Sequence, residues 1–364
     1  MADTISFARG APSLDIVDVE GLKAAAAAAF DNDPAATTAY GTSVGFVPLR
    51  AWIAEQHGVE PDQVLVTNGS MQADAFLFEL LVQPGDAVVV ESPTYDRTLL
   101  NLRQRGADVR MVPMETDGID VTHLERVLAD GCSPTLAHII PNFQNPAGYT
   151  LSASKRAGLL RLAAEHDFTL FEDDPYIAIR FEGEELPTML SQDEAGKVVY
   201  ASSFSKTVCP GIRVGYLVGP QAVIKQIQSI ATNTYISPNM VAQSIVNQFC
   251  RSGRIDGAIE TVKSALRERR DALVAALERD IPEARFTPPE GGYFMWVELP
   301  ESVRVSELET AAGERGVQFV KGTDFLLEGG ENTLRLAYSG VTVPQIEEGV
   351  ARLADALHSL GVAA

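Results

Sequence analysis

The segment ASSFSKTVCPGIRVGYLVG, residues 201 to 219, puts Ser203, Ser205, Lys206 and Arg213 in one loop between two strand-like runs. Two hydroxyls and a guanidinium suit a phosphate dianion, and the lysine stands close enough to reach a group attached to that phosphate. Lysine condenses readily with carbonyl compounds once its charge is suppressed. A loop at the carboxyl end of a parallel strand is also where an open α/β sheet puts its ligand. Taken alone, the segment fits a surface lysine in a polar loop as well.

Other segments offer chemistry of their own. TNGSMQA, Thr67 to Ala73, follows a strand and opens an apolar helix. Its free backbone N–H groups and the Ser70 hydroxyl suit a phosphate, or simply cap a helix. FEDDPY, Phe171 to Tyr176, ends a strand in three carboxylates. These fit a solvated loop, a metal site, or an acid buried under a pyridine nitrogen that it keeps protonated. No partner carboxylate motif accompanies them, so no metal is expected. PNFQNPAG is turn-rich, ESPTYD supplies Tyr95, YGTSVGFVPLR is a glycine-punctuated turn before a helix, and LRLAYSG sets Arg335 in a strand-like alternation. His57, His123, His138, His166 and His358 share no metal or triad spacing and receive no role.

These residues need a scaffold. Short apolar runs at Val64–Thr67, Ala87–Val90, Asp108–Val112, His138–Pro141, Phe168–Phe171, Val198–Ser202 and Arg213–Val218 alternate with helix-like stretches such as Ser152–His166. This is the pattern of an α/β fold with a mostly parallel sheet. From about Ile255 the pattern changes to a long charged helix, strand-like Tyr293–Leu299 and Thr333–Tyr338, and a final helix from Pro344, which suggests a second, smaller α/β domain. The Ala24–Ala29 tract reads as helix.

Composition narrows the classes. Of 364 residues, 46 % are hydrophobic and 21 % charged, so a large buried core is within reach and extended disorder is not expected. The 29 Lys and Arg against 49 Asp and Glu give a net charge of −20, which repels phosphate backbones and anionic lipid. Nucleic acid and membrane are therefore poor partners, and no basic DNA-reading module precedes residue 40. MADTISFARG shows no basic region followed by an apolar run, and no run of about 18 apolar residues occurs, so an unexported, cytoplasmic protein is expected. Cys132, Cys209 and Cys250, odd in number, read as reduced core thiols.

From ISFARGAPS to LRLAYSG, these motifs in this order resemble the class I/II pyridoxal-phosphate aminotransferases of the aspartate aminotransferase fold. The likeness is greatest to the branch of 2-aminoadipate and kynurenine aminotransferases and MocR-type regulator domains. The resemblance implies fold type I, with a seven-stranded, mostly parallel sheet in a large domain (36–254) and a small domain (255–364). Residues 1–35 would belong to the small domain and cover the pocket. It implies pyridoxal 5'-phosphate as cofactor, carried on Lys206, with Asp173 on the ring nitrogen and Asn145 and Tyr176 on the ring 3-oxygen. Tyr95 would stack on the ring; Gly69, Ser70, Met71, Ser203, Ser205 and Arg213 would hold the phosphate, with Gln72 nearby. Arg335 would clamp the substrate α-carboxylate near Asn145 and Gly10, while Arg9, which reads equally well as a surface residue, is a weaker candidate for an acidic substrate side chain. Pro146-Ala147-Gly148 stands where the family has PTG, which costs one hydroxyl. Tyr40 would reach the phosphate of a neighbouring subunit, making a homodimer. The expected reaction moves an amino group from an L-amino acid to a 2-oxo acid such as 2-oxoglutarate by a ping-pong cycle. A lyase, decarboxylase or amino-acid oxidase on the same fold, or a ligand-sensing MocR-like module, are the alternatives.

Overall fold

The computed structural model describes residues 4–361; residues 1–3 and 362–364, the extremities of the expected N-terminal segment and small domain, lie outside the described residues. The strands are β1 (Ile5–Ser6), β2 (Val64–Thr67), β3 (Ala87–Ser92), β4 (Asp108–Glu115), β5 (Gly118–Ile119), β6 (Pro134–Ile139) and β7 (Thr169–Asp173). They continue with β8 (Val198–Ser203), β9 (Gly215–Val218), β10 (Phe294–Glu298), β11 (Val317–Gln318), β12 (Val320–Lys321) and β13 (Thr333–Ala337).

The large sheet has the order β2-β9-β8-β7-β6-β3-β4-β5. Neighbours from β8 through β4 pair in parallel, and β9 runs antiparallel between β2 and β8. Seven of these strands answer to the expected runs. The eighth, β5, is a two-residue strand that turns back on β4 at the sheet edge. β6 differs from expectation in its bounds: it runs from Pro134 to Ile139 rather than from His138 to Pro141. Ser133-Pro134 reads as a turn in sequence, but proline is tolerated as the first residue of a strand.

Both sheet faces are covered, which is why these strands are near-continuously apolar. Side chains alternate along β3: Val88 and Val90 join Leu65, Leu77, Phe171 and Ile227 on one face, while Val89 joins Leu124, Leu159, Leu162 and Ile139 on the other. Helices Ser70–Leu81 and Gln221–Tyr235 supply the first layer, and Val121–Ala129 and Ala153–His166 the second. Each fully buried valine or leucine stabilises the sandwich by about 1.5–3 kcal/mol.

A second sheet, β10-β13-β12, is antiparallel and opposes Trp296 to Arg335. Helices Arg254–Asp280 and Val343–Ser359 pack with it around Leu266, Leu273, Leu336 and Leu353. β1 pairs in parallel with β11, and the Ala337 amide donates to the Phe7 carbonyl at 2.8 Å. This anchors the chain that leads to Ala8 and Gly10. No described helix is long and apolar enough to cross a membrane.

Candidate active site

Because β2, β3, β6, β7 and β8 point the same way, their carboxyl ends meet on one side of the large sheet. A cavity of about 210 Å³ lies there. Ser70, Met71, Tyr95, Asn145, Asp173, Tyr176, Ser203, Ser205, Lys206 and Arg213 all line it.

One end is built for an anion. Helix Ser70–Leu81 begins without a side-chain cap, so its first N–H groups are free to meet a ligand. Arg213 Nη1 donates to Ser205 Oγ at 3.1 Å, and the Ser205 amide donates to Ser203 Oγ at 3.1 Å. Gly69 has φ +91°, and a Cβ there would collide with the Arg213 guanidinium. Glycine is therefore required for the arginine to lie against the helix start. Gln72 turns aside, accepting from the Asn68 amide at 2.9 Å.

The other end is acidic. Asp173, the last residue of β7, has Oδ2 at 3.2 Å from His138 Nε2, while its buried Oδ1 has no partner. His138 is wholly buried between the rings of Phe78 and Phe171. The flanking acids serve the scaffold instead: Glu172 accepts from the Met189 and Leu190 amides at 2.8 Å, and Asp174 from Asn142 Nδ2 at 2.7 Å. Asp74 also lines the cavity, and its Oδ1 is buried without a partner. Burial, then the neighbouring Asp173 charge, pushes the Asp74 carboxyl well above the usual range.

Between the two ends stands Lys206. Its Nζ donates to the Gly10 carbonyl at 2.8 Å and lies 5.4 Å and 5.0 Å from the ring centres of Tyr176 and Tyr293. Burial, reinforced by the charges of Arg335 and Arg213, lowers its ammonium from 10.5 to about 8. A Cβ on Gly10 would run into the Phe294 ring, so only glycine brings this carbonyl so close. The Tyr95 hydroxyl donates to Met71 Sδ at 3.6 Å, and burial raises that phenol to about 12. Tyr176, wholly buried, is likewise shifted well upward and stays neutral.

Arg335, on β13, is the link to the second sheet. Its Nη1 donates to Asn145 Oδ1 and its Nη2 to the Ala8 carbonyl, both at 2.7 Å. The guanidinium rests over Phe294 and Phe325 at 4.3 Å and 4.8 Å, and Nε has no partner. Asn145 itself is steadied by its neighbour Gln144, whose amide donates to Glu91 Oε2 at 3.1 Å and to the Pro93 carbonyl at 2.8 Å. Tyr40 does not line this cavity and is 86 % exposed, and Arg9 is exposed too.

Asp74 and Tyr293 were not singled out in the sequence, and His138, which was given no role there, contacts Asp173 in the structure. The i, i+4 spacing of Ser70 and Asp74 was the available signal for the first. The other two meet the site through strand pairing and packing that linear spacing does not display. An amine of lowered pKa, an anion cradle and a buried carboxylate oxygen without a partner share one cavity. That set fits an aldehyde-bearing phosphate ester with a basic ring nitrogen, which is pyridoxal phosphate.

The family model described as aminotransferase class I and II matches residues 2–353. The chain belongs to this family. A 2-aminoadipate transaminase of Thermus thermophilus is 36 % identical over 362 residues, covering 98 % of this chain and 90 % of that protein. The α-aminoadipate aminotransferase of Thermus thermophilus, solved with N-(5'-phosphopyridoxyl)-L-leucine, superposes with a TM-score of 0.94 at 33 % identity, covering 98 % of this chain and 92 % of that one. A Pyrococcus horikoshii kynurenine aminotransferase, solved with PMP, gives a TM-score of 0.95 at 32 % identity, with 100 % and 93 % covered. This aminotransferase is thus a pyridoxal-phosphate enzyme of fold type I that moves an amino group from an amino acid to a 2-oxo acid.

Proposed function

We propose that this aminotransferase works in two half-reactions, releasing the first 2-oxo acid before the second, 2-oxoglutarate, is bound. When bound, pyridoxal phosphate supplies an aldehyde that condenses with amines and a ring that accepts the electron pair freed at the amino acid's α-carbon. The protein supplies everything else. Ser203, Ser205, Arg213 and the helix start at Ser70 hold the phosphate, with Met71 beside them. Asp173, oriented by His138, keeps a proton on the ring nitrogen. Asn145 and Tyr176 would donate to the ring 3-oxygen, and Tyr95 would pack against the ring face. Arg335 takes the substrate α-carboxylate with two parallel N–H groups, and the Gly10 segment covers it. Lys206, as a neutral amine, would remove the α-proton and return it to the carbon supplied by the cofactor's aldehyde, across the shared nitrogen, an acid–base contribution of about 10²–10⁴-fold.

The observation that carries this reading is the placement of the Lys206 amine, buried and of lowered pKa, in one cavity with Asp173 and the Arg213 cradle. In quaternary terms, we read the enzyme as a cytoplasmic homodimer in which Tyr40 reaches the partner's phosphate; its exposure supports this. We read residues 36–254 as the cofactor domain, with 255–364 and the N-terminal 1–35 forming the smaller one. Product analysis with a panel of amino acids tests the reaction. Acceptor-dependent appearance of glutamate from 2-oxoglutarate is expected, and release of ammonia without any acceptor contradicts it.

A further inference from the structure

The acid-rich end of the cavity holds one group that the reading above leaves unused. Asp74 sits on helix Ser70–Leu81, four residues past Ser70 and thus about one turn, roughly 5.4 Å, further along the same face. Ser70 stands at the anion cradle, so this helix spans the cavity from the phosphate end towards Asp173. Asp74 is 4 % exposed, in a helix layer otherwise made of Ala73, Phe76, Leu77 and Phe78. A carboxyl among such neighbours is costly unless it meets a polar group. Its Oδ1 meets none, and neither does Oδ1 of Asp173. Both acids line the same cavity, and each has one buried carboxyl oxygen without a partner.

We infer that Asp74 is a second carboxyl of the cofactor site, sharing with Asp173 the end of the cavity that receives the ring nitrogen. Two acids so placed cannot both carry charge cheaply. Buried in an apolar helix layer beside Asp173, Asp74 is held well above the usual carboxyl range and is the acid that keeps its proton. The Asp173 charge from β7 and the Tyr95 phenol from the loop after β3 act on Asp74 directly, and the other charged and titratable groups lining the cavity are Tyr176, Lys206 from the loop after β8 and Arg213 ahead of β9. Ionisation of Asp74, once the pH is raised far enough, adds a negative charge beside the ring and shifts the absorbance of the bound cofactor. The inference rests on the assignment of Asp173 to the ring nitrogen.

The test is a pH titration of the holoenzyme's visible spectrum, compared among wild type, Asp74→Asn and Asp74→Leu, with infrared spectra of the same samples at pH 7. Over the signal of other buried acids such as Glu91, which burial raises to about 8, the wild type is expected to show a protonated-carboxyl component that both variants lack, and a step at raised pH in its visible titration that both variants lose. Asparagine keeps the shape and leucine suits the apolar layer, so loss of fold is separable from loss of the proton. Dissociation of pyridoxal phosphate from each variant, followed by dialysis, gives a readout independent of turnover. Identical carboxyl bands and titrations in all three proteins overturn the role of Asp74. Failure of the underlying assignment is seen separately, as an Asp173→Asn holoenzyme whose spectrum matches wild type at every pH.

Discussion

Arg335 Nη1 donates to Asn145 Oδ1 at 2.7 Å, so an arginine of the three-stranded sheet is joined directly to the loop that follows β6 of the large sheet. The group proposed to hold the substrate carboxylate thereby also orients the amide proposed to face the ring 3-oxygen. Binding an amino acid at one is felt at the other.

Arg335→Lys removes the planar fork while keeping the charge. Losing a charge-assisted hydrogen bond of this kind costs about 1.5–3 kcal/mol, so KM for the amino acid is expected to rise roughly ten- to hundredfold. Because Asn145 also loses its partner, kcat falls as well. Steady-state kinetics with each substrate varied in turn reads both effects, and an unchanged KM argues against the clamp.

Asp173→Asn leaves His138 without a charged partner and the ring nitrogen without an acid. Removing one such electrostatic contact typically costs roughly 10²–10³-fold in rate, and that loss is expected in the single-turnover half-reaction with an amino acid. Asp173→Glu, which keeps the charge, should recover part of it.

The lowered pKa of Lys206 carries a stability signature in cofactor-free protein. Its amine falls from 10.5 to about 8 on folding, so between those values the unfolded chain binds more protons and stability rises with pH. Below pH 8 the buried ammonium destabilises the fold by up to about 3 kcal/mol. Cofactor-free Lys206→Met is therefore expected to melt higher than cofactor-free wild type at pH 7. The gap should close as pH is raised from 8 towards 10.5, as scanning calorimetry at several pH values would show.

Tyr40 offers a test of the shared site. Tyr40→Ala and Lys206→Ala should each be impaired alone, but a mixed dimer contains one site with both residues intact. Mixing equal amounts, dissociating and reassociating should restore about a quarter of wild-type activity. No recovery places Tyr40 outside the partner's site.

Much of this arrangement was legible in the chain. The strand runs read as ending at Thr67, Val90, Phe171 and Ser202, within two residues of the observed ends Thr67, Ser92, Asp173 and Ser203, were recognisable because parallel strands buried on both faces are apolar throughout. Residues placed just after their carboxyl ends could only converge. Loop motifs such as Ser203-Phe204-Ser205-Lys206 carry their chemistry within a few residues and so survive in linear form. His138 was missed because its contact with Asp173 is made between neighbouring strands, 35 positions apart. Asp74 was missed because a carboxylate in an apolar helix reads as solvated until burial is known. The start of β6 was placed too late because the run was read only from His138, whereas pairing with β3 begins at Pro134.

The most direct test of the account is borohydride reduction of purified enzyme followed by peptide mapping. A pyridoxyl adduct on the peptide containing Lys206, together with loss of the visible band and of amino transfer, is the predicted result. Reduction that leaves Lys206 unmodified, or a Lys206→Ala protein that keeps both colour and full turnover, would contradict it.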